Sequence, residues 1–210
     1  MPTETFFNLP QEKRARLVVA IRNELTRVPF NEVSINRIVR AAGIPRGSYY
    51  QYFISRDDLY DFLLTEYRAR MQESAVRTLK EQSGDVFLTV LSGFDESVAF
   101  ASDESNLLIM RHLFDYRSPA KPADGQDPFS NISILTRNID LIDASALNCS
   151  GRDDLLAILE ILFSLLAFTL AELFCNPQNA DALRGRLKRK LEILKHGMLR
   201  TDAEGGASAC

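Results

Sequence analysis

The sequence predicts an all-α protein in two unequal parts, a small N-terminal group of short capped helices and a larger C-terminal helical body. Apolar residues recur at helical spacing along most of the 210 residues, and no alternating strand pattern lasts long enough to compete. Caps, prolines and glycines punctuate the first 60 residues closely and the rest sparsely, so short helices give way to long ones. Charge divides the chain at the same place. Residues 1–60 carry nine Lys or Arg against six Asp or Glu, whereas residues 61–210 carry sixteen against twenty-two. A basic front on a chain of net charge −3 suggests that one part meets nucleic acid or a membrane surface.

Each element follows from local signals. Leu17, Val18, Ile21 and Leu25 form one face of a first helix over residues 10–27, which Pro29 ends. Ser34 is placed to cap a second helix, with Val33 and Ile38 as a hydrophobic staple, and Gly43 stops it. Pro45 opens a short third helix to residue 52. Ser55 and Asp58 make a capping box for a fourth helix that runs to about residue 82, and Ile54 with Leu59 repeats the staple. Further helices are expected over residues 85–101, 104–116, 129–142, 153–174 and 180–199. Three prolines and a glycine make residues 117–128 a loop or disordered segment, and residues 202–210 read as a disordered tail.

Composition excludes several classes. Cys149, Cys175 and Cys210 are scattered and odd in number, with only His112 and His196 beside them, so neither a disulfide framework nor a metal site is expected. The N-terminal residues lack the basic and apolar regions of a secretory signal, which makes the cytoplasm the expected compartment. Residues 155–175 are apolar almost all round, but Glu160 and Glu172 leave an uncharged run too short to span about 30 Å of hydrocarbon. A core or subunit-interface helix is expected instead of a membrane span. No HExxH, GxSxG, P-loop or metal-spaced cluster points to an enzyme, no cofactor is expected, and helix capping explains the paired Asp57 and Asp58.

The stretch AAGIPRGSYYQYF, residues 41–53, sets one cation and three tyrosines in a turn-flanked segment. Two short helices joined by a tight glycine turn fit a helix-turn-helix, whose second helix enters the DNA major groove. There Arg46 could donate twice to a guanine edge, Gly47 would permit close approach, Ser48 could bond a base or phosphate, and the hydroxyls of Tyr50 and Tyr52 could reach phosphates. A plain helical hairpin, with its tyrosines covering a hydrophobic edge, fits the same local features.

Residues 9–62 resemble the DNA-binding domain of the TetR family of bacterial transcriptional regulators. The resemblance rests on the capped second helix, the Ala-Gly-Ile turn, Gly-Ser-x-Tyr-x-Tyr-Phe and then Ser-Arg-Asp-Asp-Leu. It implies a three-helix helix-turn-helix DNA-binding domain over residues 1–60 and a helical ligand-binding and dimerisation domain over residues 61–201. It also implies DNA contacts from Ser34 and Asn36, from Arg46, Gly47, Ser48 and Tyr50, and from Gln51, Tyr52 and Arg56. Pro45 stands where a capping Ser or Thr is common in the family, and Tyr49 where Leu or Phe is usual; Tyr49 is expected to pack, with a base contact as its other role.

For the body the resemblance implies a homodimer on a palindromic operator of double-stranded DNA, released by a small-molecule effector, most simply as a repressor. Candidate pocket residues are Phe62, Tyr67, Met71, Phe87, Leu91, Phe94, Met110, Phe114 and Phe163, with Arg111 and His112 as polar groups. Candidate dimer-interface residues are Leu155, Leu159, Leu162, Leu166 and Leu170 on one helix and Leu187, Leu191 and Leu194 on the next. The run RGRLKRK, residues 184–190, is expected to be a solvated face. The competing class is a helical ligand-carrier or protein-interaction module without specific DNA binding.

Overall fold

The computed structural model describes residues 1–116 and 137–196. Among these, the helices are α1 (Glu4–Phe7), α2 (Gln11–Arg27), α3 (Ile35–Ala42), α4 (Arg46–Tyr52), α5 (Arg56–Glu81), α6 (Val86–Ala101), α7 (Glu104–Tyr116), α8 (Arg152–Cys175) and α9 (Ala180–His196), and no strand occurs. Short 3-10 turns at Phe30–Glu32, Ile139–Leu141, Ala144–Ala146 and Pro177–Asn179 fill the connections.

The N-terminal unit is built on α2. Leu17, Ile21 and Leu25 are fully buried, and α3 packs across this face. Gly43 ends α3 with φ +65°, a left-handed conformation that glycine adopts without steric cost, and the Ile44 N–H returns to the Val39 carbonyl at 3.0 Å. That closure turns the chain sharply into α4. The unpredicted α1 supports α4 from beneath: Phe6 is 1% exposed and its ring meets Phe62 at 5.1 Å, Phe53 at 5.4 Å and Tyr52 at 6.4 Å. Four residues are too few for a periodic signal, which is why the sequence does not announce this helix.

Two local expectations are corrected. Ser34 occupies the N-cap position of α3, but its hydroxyl makes no cap bond; its own backbone N–H donates to Glu24 Oε1 of α2 at 3.1 Å. At α5 the capping box forms as expected, with Asp58 N–H donating to Ser55 Oγ at 3.1 Å and Ser55 N–H to Asp58 Oδ2 at 3.0 Å. The staple beside it does not, since Ile54 is 77% exposed.

The body is a helical bundle in which α5 packs on α6, and α6 contacts α7, α8 and α9. α5 runs through residue 60 without a break, so one continuous helix enters both halves of the chain. Gly93 on α6 lets α5 approach: a Cβ there would stand 3.0 Å from Met71 Cε. Small hydroxyl residues line the same contact, with Thr78 Oγ1 donating to Ser92 Oγ at 2.9 Å and Ser74 Oγ 3.1 Å from it. α8 is long and apolar enough to cross a membrane by length and composition, yet Leu159, Leu162, Leu173 and Phe174 are at most 1% exposed within the chain.

The helix expected over residues 129–142 is also corrected where it can be seen. Residues 129–136 lie outside the described residues, as does the expected loop at 117–128, while residues 137–142 form a turn and the 3-10 turn Ile139–Leu141. This strap is laid on the α5–α6 corner, and Asp143 N–H donates to the Gly84 carbonyl at 3.1 Å. Ile139, Leu141 and Ile142 pack against the core from irregular backbone, so their apolar pattern does not require a helix. Of the expected α9 extension and tail, residues 197–210 lie outside the described residues.

Candidate nucleic-acid interface

The surface formed by α3 and α4 gathers the polar residues that the sequence singles out. Arg46 is the first residue of α4 and is exposed, and its Nη1 donates to Asn36 Oδ1 on α3 at 2.8 Å. Its Nη2 donates to the Tyr50 hydroxyl, one turn along α4, at 3.2 Å, and the guanidinium carbon lies 5.9 Å from the Tyr50 ring centroid. Gly47 is exposed, and a Cβ built on it meets nothing within 4 Å, so no neighbour in the fold requires glycine there. Ser48 is half-buried, while Gln51 is exposed at the end of the helix. Arg56 is exposed and donates through Nη1 to the Asn31 carbonyl at 3.0 Å.

The remaining two tyrosines turn inward. Tyr49 is 3% exposed and Tyr52 is 4% exposed. Tyr49 packs against Phe53 with ring centroids 5.3 Å apart and meets Tyr50 edge-on at 5.7 Å. Burial pushes its phenol well above the ordinary value of 10.0, so the hydroxyl stays protonated. The alternation has a simple cause, because positions 49 and 52 lie one turn apart on the same face of α4 and position 50 faces away. Tyr52 is further tied through its carbonyl, which accepts from Thr3 N–H at 3.0 Å, while the Gln51 carbonyl accepts from the Thr3 hydroxyl at 2.6 Å.

One residue that fixes this surface does not figure among the sequence candidates. Glu24 is 5% exposed on α2 and accepts from Arg27 Nη2 at 2.8 Å, from Arg27 Nε at 3.1 Å and from the Ser34 N–H at 3.1 Å; Arg37 Nε lies at 3.9 Å. Burial opposes its charge, but the hydrogen bonds from Arg27 and Ser34 and the positive charges of Arg27 and Arg37 prevail and hold its carboxyl below the ordinary 4.5. Glu24 thus joins the end of α2 to the start of α3. The signal for it was in the sequence, since a carboxylate falls at a core position of the 17, 20, 21, 24, 25 periodicity with an arginine three residues on.

In the body the pocket candidates scatter. Phe62 lies in the N-terminal aromatic cluster, 5.7 Å from Phe53, and Phe94, Met110 and Phe114 are core at 3% exposure or less. The Tyr67 hydroxyl is 2.8 Å from Ser97 Oγ, and its ring is 5.2 Å from Phe100. Met71, Leu91 and Phe163 are half-buried against the core. Arg111 Nε donates to the Phe174 carbonyl at 3.1 Å near the end of α8, and His112 Nδ1 lies 2.6 Å from the Leu25 carbonyl at the end of α2. Only a ring N–H can donate to a carbonyl, so that contact puts the proton on Nδ1. Arg22 Nη2 donates to Asn106 Oδ1 at 2.6 Å, and the Tyr116 ring lies tilted against Phe30 with centroids 4.5 Å apart, so α7 touches the N-terminal unit along its length.

A cavity of about 500 Å³ opens where the α5–α6 corner, the strap and the facing parts of α8 and α9 converge. Phe87, Val86, Leu147, Ile158 and Leu162 give it apolar walls, and Lys195 lies at its side with Nζ 3.4 Å from Asp85 Oδ2 and 5.6 Å from the Phe87 ring centroid. Of the pocket candidates, Phe87 alone lines it.

The interface leucines are accounted for within one chain. Leu155, Leu159, Leu162, Leu166, Leu170, Leu187 and Leu191 are buried and Leu194 is half-buried. What α8 and α9 leave to solvent is a different set: Ile161 at 55%, Phe168 at 59% and Ile193 at 44% exposure. The basic run is exposed except for Leu187, with Arg184 paired to Asp95 at 2.7 Å and Arg186 to Glu172 at 2.5 Å.

Comparison with known proteins agrees with this architecture. Residues 17–62 match the family model described as bacterial regulatory proteins, tetR family, and residues 85–198 match that of the tetracyclin repressor-like C-terminal domain. An uncharacterized HTH-type transcriptional regulator, YdgC of Bacillus subtilis (strain 168), is 28% identical over 99 residues, which are 46% of this chain and 51% of that protein. The chain thus spans about half the length of the curated relative it matches. In fold it is similar to the fatty acid degradation regulator FadR from Bacillus halodurans, at TM-score 0.56 and 16% identity over 89% of this chain and 99% of that one. It is also similar to a tetR-family transcriptional regulator from Streptomyces coelicolor, at TM-score 0.51 and 18% identity over 89% of this chain and 83% of that one. With the C-terminal model alone spanning more than half of the chain and the N-terminal model seated on α2 to α5, the protein belongs to the TetR family of regulators.

Proposed function

We propose that the protein is a cytoplasmic, dimeric transcriptional repressor that binds a palindromic operator and is released by a small apolar or amphipathic effector. The observation that carries this reading is the α3–α4 surface, where Arg46, Asn36 and Tyr50 form an exposed hydrogen-bonded group beside a glycine that the fold itself does not need. α4 enters the major groove; Arg46 reads a base edge, while Arg56, Gln51 and Tyr50 hold phosphates. Tyr49 and Tyr52 act from behind as the packing that fixes the helix's angle.

The division of labour follows residues 1–60 for DNA and 61–201 for effector and partner. Dimerisation uses the solvent-facing apolar side chains of α8 and α9, chiefly Ile161, Phe168 and Ile193, while the leucine stripes hold each subunit together. A two-fold four-helix contact of this kind is isologous, so the two copies of α4 are related by the dyad, as the halves of a palindrome are. The cavity beside Phe87 and Lys195 has the size and apolar lining suited to a small amphipathic molecule. α7 carries the effector's influence, because it is bonded to the N-terminal unit through His112 and Arg22. Release then depends on the effector's differential affinity for the two subunit arrangements.

The test compares Arg46→Ala with Arg56→Ala on a selected operator and on random duplex across a salt series. Arg46→Ala is expected to cost about 1–3 kcal/mol on the operator and to relax preference at one base pair, whereas Arg56→Ala weakens both duplexes evenly. Equal losses on both duplexes for Arg46→Ala remove the base-reading role, and affinity that does not fall with salt removes the phosphate contacts.

A further inference from the structure

An exposed arginine on a short helix ordinarily samples many rotamers, yet Arg46 is held at both η nitrogens: Nη1 by Asn36 Oδ1 at 2.8 Å and Nη2 by the Tyr50 hydroxyl at 3.2 Å. The two partners come from different helices. Asn36 is the second residue of α3, and Tyr50 lies one turn along α4 with its ring beside the guanidinium carbon. A guanidinium has no acceptor, so the amide oxygen and the phenolic oxygen must both accept. Each η nitrogen keeps a second hydrogen, and Nε keeps its own, so three donors are left for DNA. The Tyr50 hydroxyl, having accepted from Arg46, keeps its hydrogen to donate outward.

We propose that Asn36 and Tyr50 are positioning residues for Arg46: they set the plane of its guanidinium across the α3–α4 corner before DNA arrives, and base preference at the pair Arg46 reads depends on Asn36 acting through Arg46. This rests on the reading that α4 enters the major groove and that Arg46 meets a base there. The chemistry fits a purine edge with two acceptors, the O6 and N7 of guanine, because two donors held in one plane match two acceptors in one plane. Burial reinforces the geometry at the base of the group, where Tyr49 packs edge-on against Tyr50 at 5.7 Å and limits how far that ring can swing.

The experiment is a double-mutant cycle on the full-length protein: wild type, Asn36→Ala, Arg46→Ala and the double variant, measured on the selected operator, on operators altered at each base pair, and on random duplex. Asn36 is exposed and outside the core, so thermal midpoints of all four proteins should agree. Asn36→Ala is expected to lose about five- to thirtyfold on the operator and less than twofold on random duplex, flattening preference at the same base pair as Arg46→Ala. In the Arg46→Ala background it should lose nothing more. Losses that multiply in the double variant would mean that Asn36 contacts DNA itself, and an unchanged base preference in Asn36→Ala would mean that Arg46 needs no cradle; either result overturns the proposal.

Two conservative changes sharpen it. Asn36→Asp keeps the acceptor, so base preference should survive while affinity for every duplex falls from the added negative charge; loss of preference in Asn36→Asp counts against the proposal. Tyr50→Phe keeps the ring and removes the hydroxyl, and it should shift preference at that base pair in the same direction as Asn36→Ala but less far. The underlying reading fails separately and earlier. If selection yields no operator, or if Arg46→Ala leaves every base preference intact, the DNA-reading role of Arg46 is wrong and the positioning role falls with it.

Discussion

Gly47→Ala separates what the fold needs from what DNA binding needs. Gly47 is the second residue of α4, has no left-handed backbone angle, and a Cβ there would meet nothing within 4 Å. Alanine is therefore accommodated without strain, and it reduces the conformational freedom of the unfolded chain. The expected effect on folding is a gain of about 0.5 kcal/mol, at the lower end for a helix position because α4 is short and the site lies in its first turn. In a protein of this size that raises the thermal midpoint by about 1–2 °C. Against DNA the sign reverses. In the proposed complex the groove wall approaches the backbone through the space a methyl would fill, so operator affinity should fall at least tenfold, about 1.4 kcal/mol. Calorimetry or thermal circular dichroism reads the first effect and fluorescence anisotropy on the operator the second. A variant that is as stable as expected and binds with unchanged affinity would show that Gly47 faces solvent in the complex, and the placement of α4 in the groove would have to be abandoned.

Substitutions at three other sites probe the frame. Glu24→Ala orphans the Ser34 N–H and removes the partner of Arg27, so urea unfolding should show a loss of about 1–3 kcal/mol, with operator affinity falling as α3 loosens. The pH dependence has a fixed sign: because the Glu24 carboxyl is held below 4.5, its ionised form stabilises the fold fully above that value, and the stability difference between wild type and Glu24→Gln should shrink as pH drops below it. Gly84→Ala forces a residue with φ +82° to carry a Cβ in contact with the Asp143 backbone nitrogen and 2.8 Å from the Leu141 carbonyl oxygen. It should cost about 2 kcal/mol or more in denaturant unfolding and displace the strap. Phe168→Glu changes a side chain that is 59% exposed, so the subunit should still fold while sedimentation shows dissociation. Losing about 2 kcal/mol of burial from each copy weakens the dimer on the order of a thousandfold.

The order and type of the long helices were legible because each buries a stripe at helical spacing, and the α3–α4 corner was legible because Gly43 and Pro45 leave few alternatives to a tight turn between two helices. What sequence could not supply was the direction in which an apolar face points. α8 is apolar on every side, so periodicity does not distinguish leucines that pack on α6 and α9 from Ile161 and Phe168, which face solvent. The same ambiguity scattered the pocket candidates: aromatics such as Phe62 and Phe94 fill a core with the same residue types that line a cavity. The cavity beside Phe87 draws on four separated segments, a convergence that no local pattern encodes. Tyr52 shows the limit at finer scale. Its hydroxyl suggested a phosphate contact, but its position three residues after Tyr49 put it on the buried face.

The most direct test of the central claim is selection of bound sequences from a random duplex pool with the full-length protein. The expected result is a palindromic consensus whose half-sites are centred about 34 Å apart or slightly more, with an invariant base pair in each half that loses its preference in Arg46→Ala. An enriched pool without two-fold symmetry would contradict the dimeric reader, and no enrichment at all would contradict operator recognition by the α3–α4 surface.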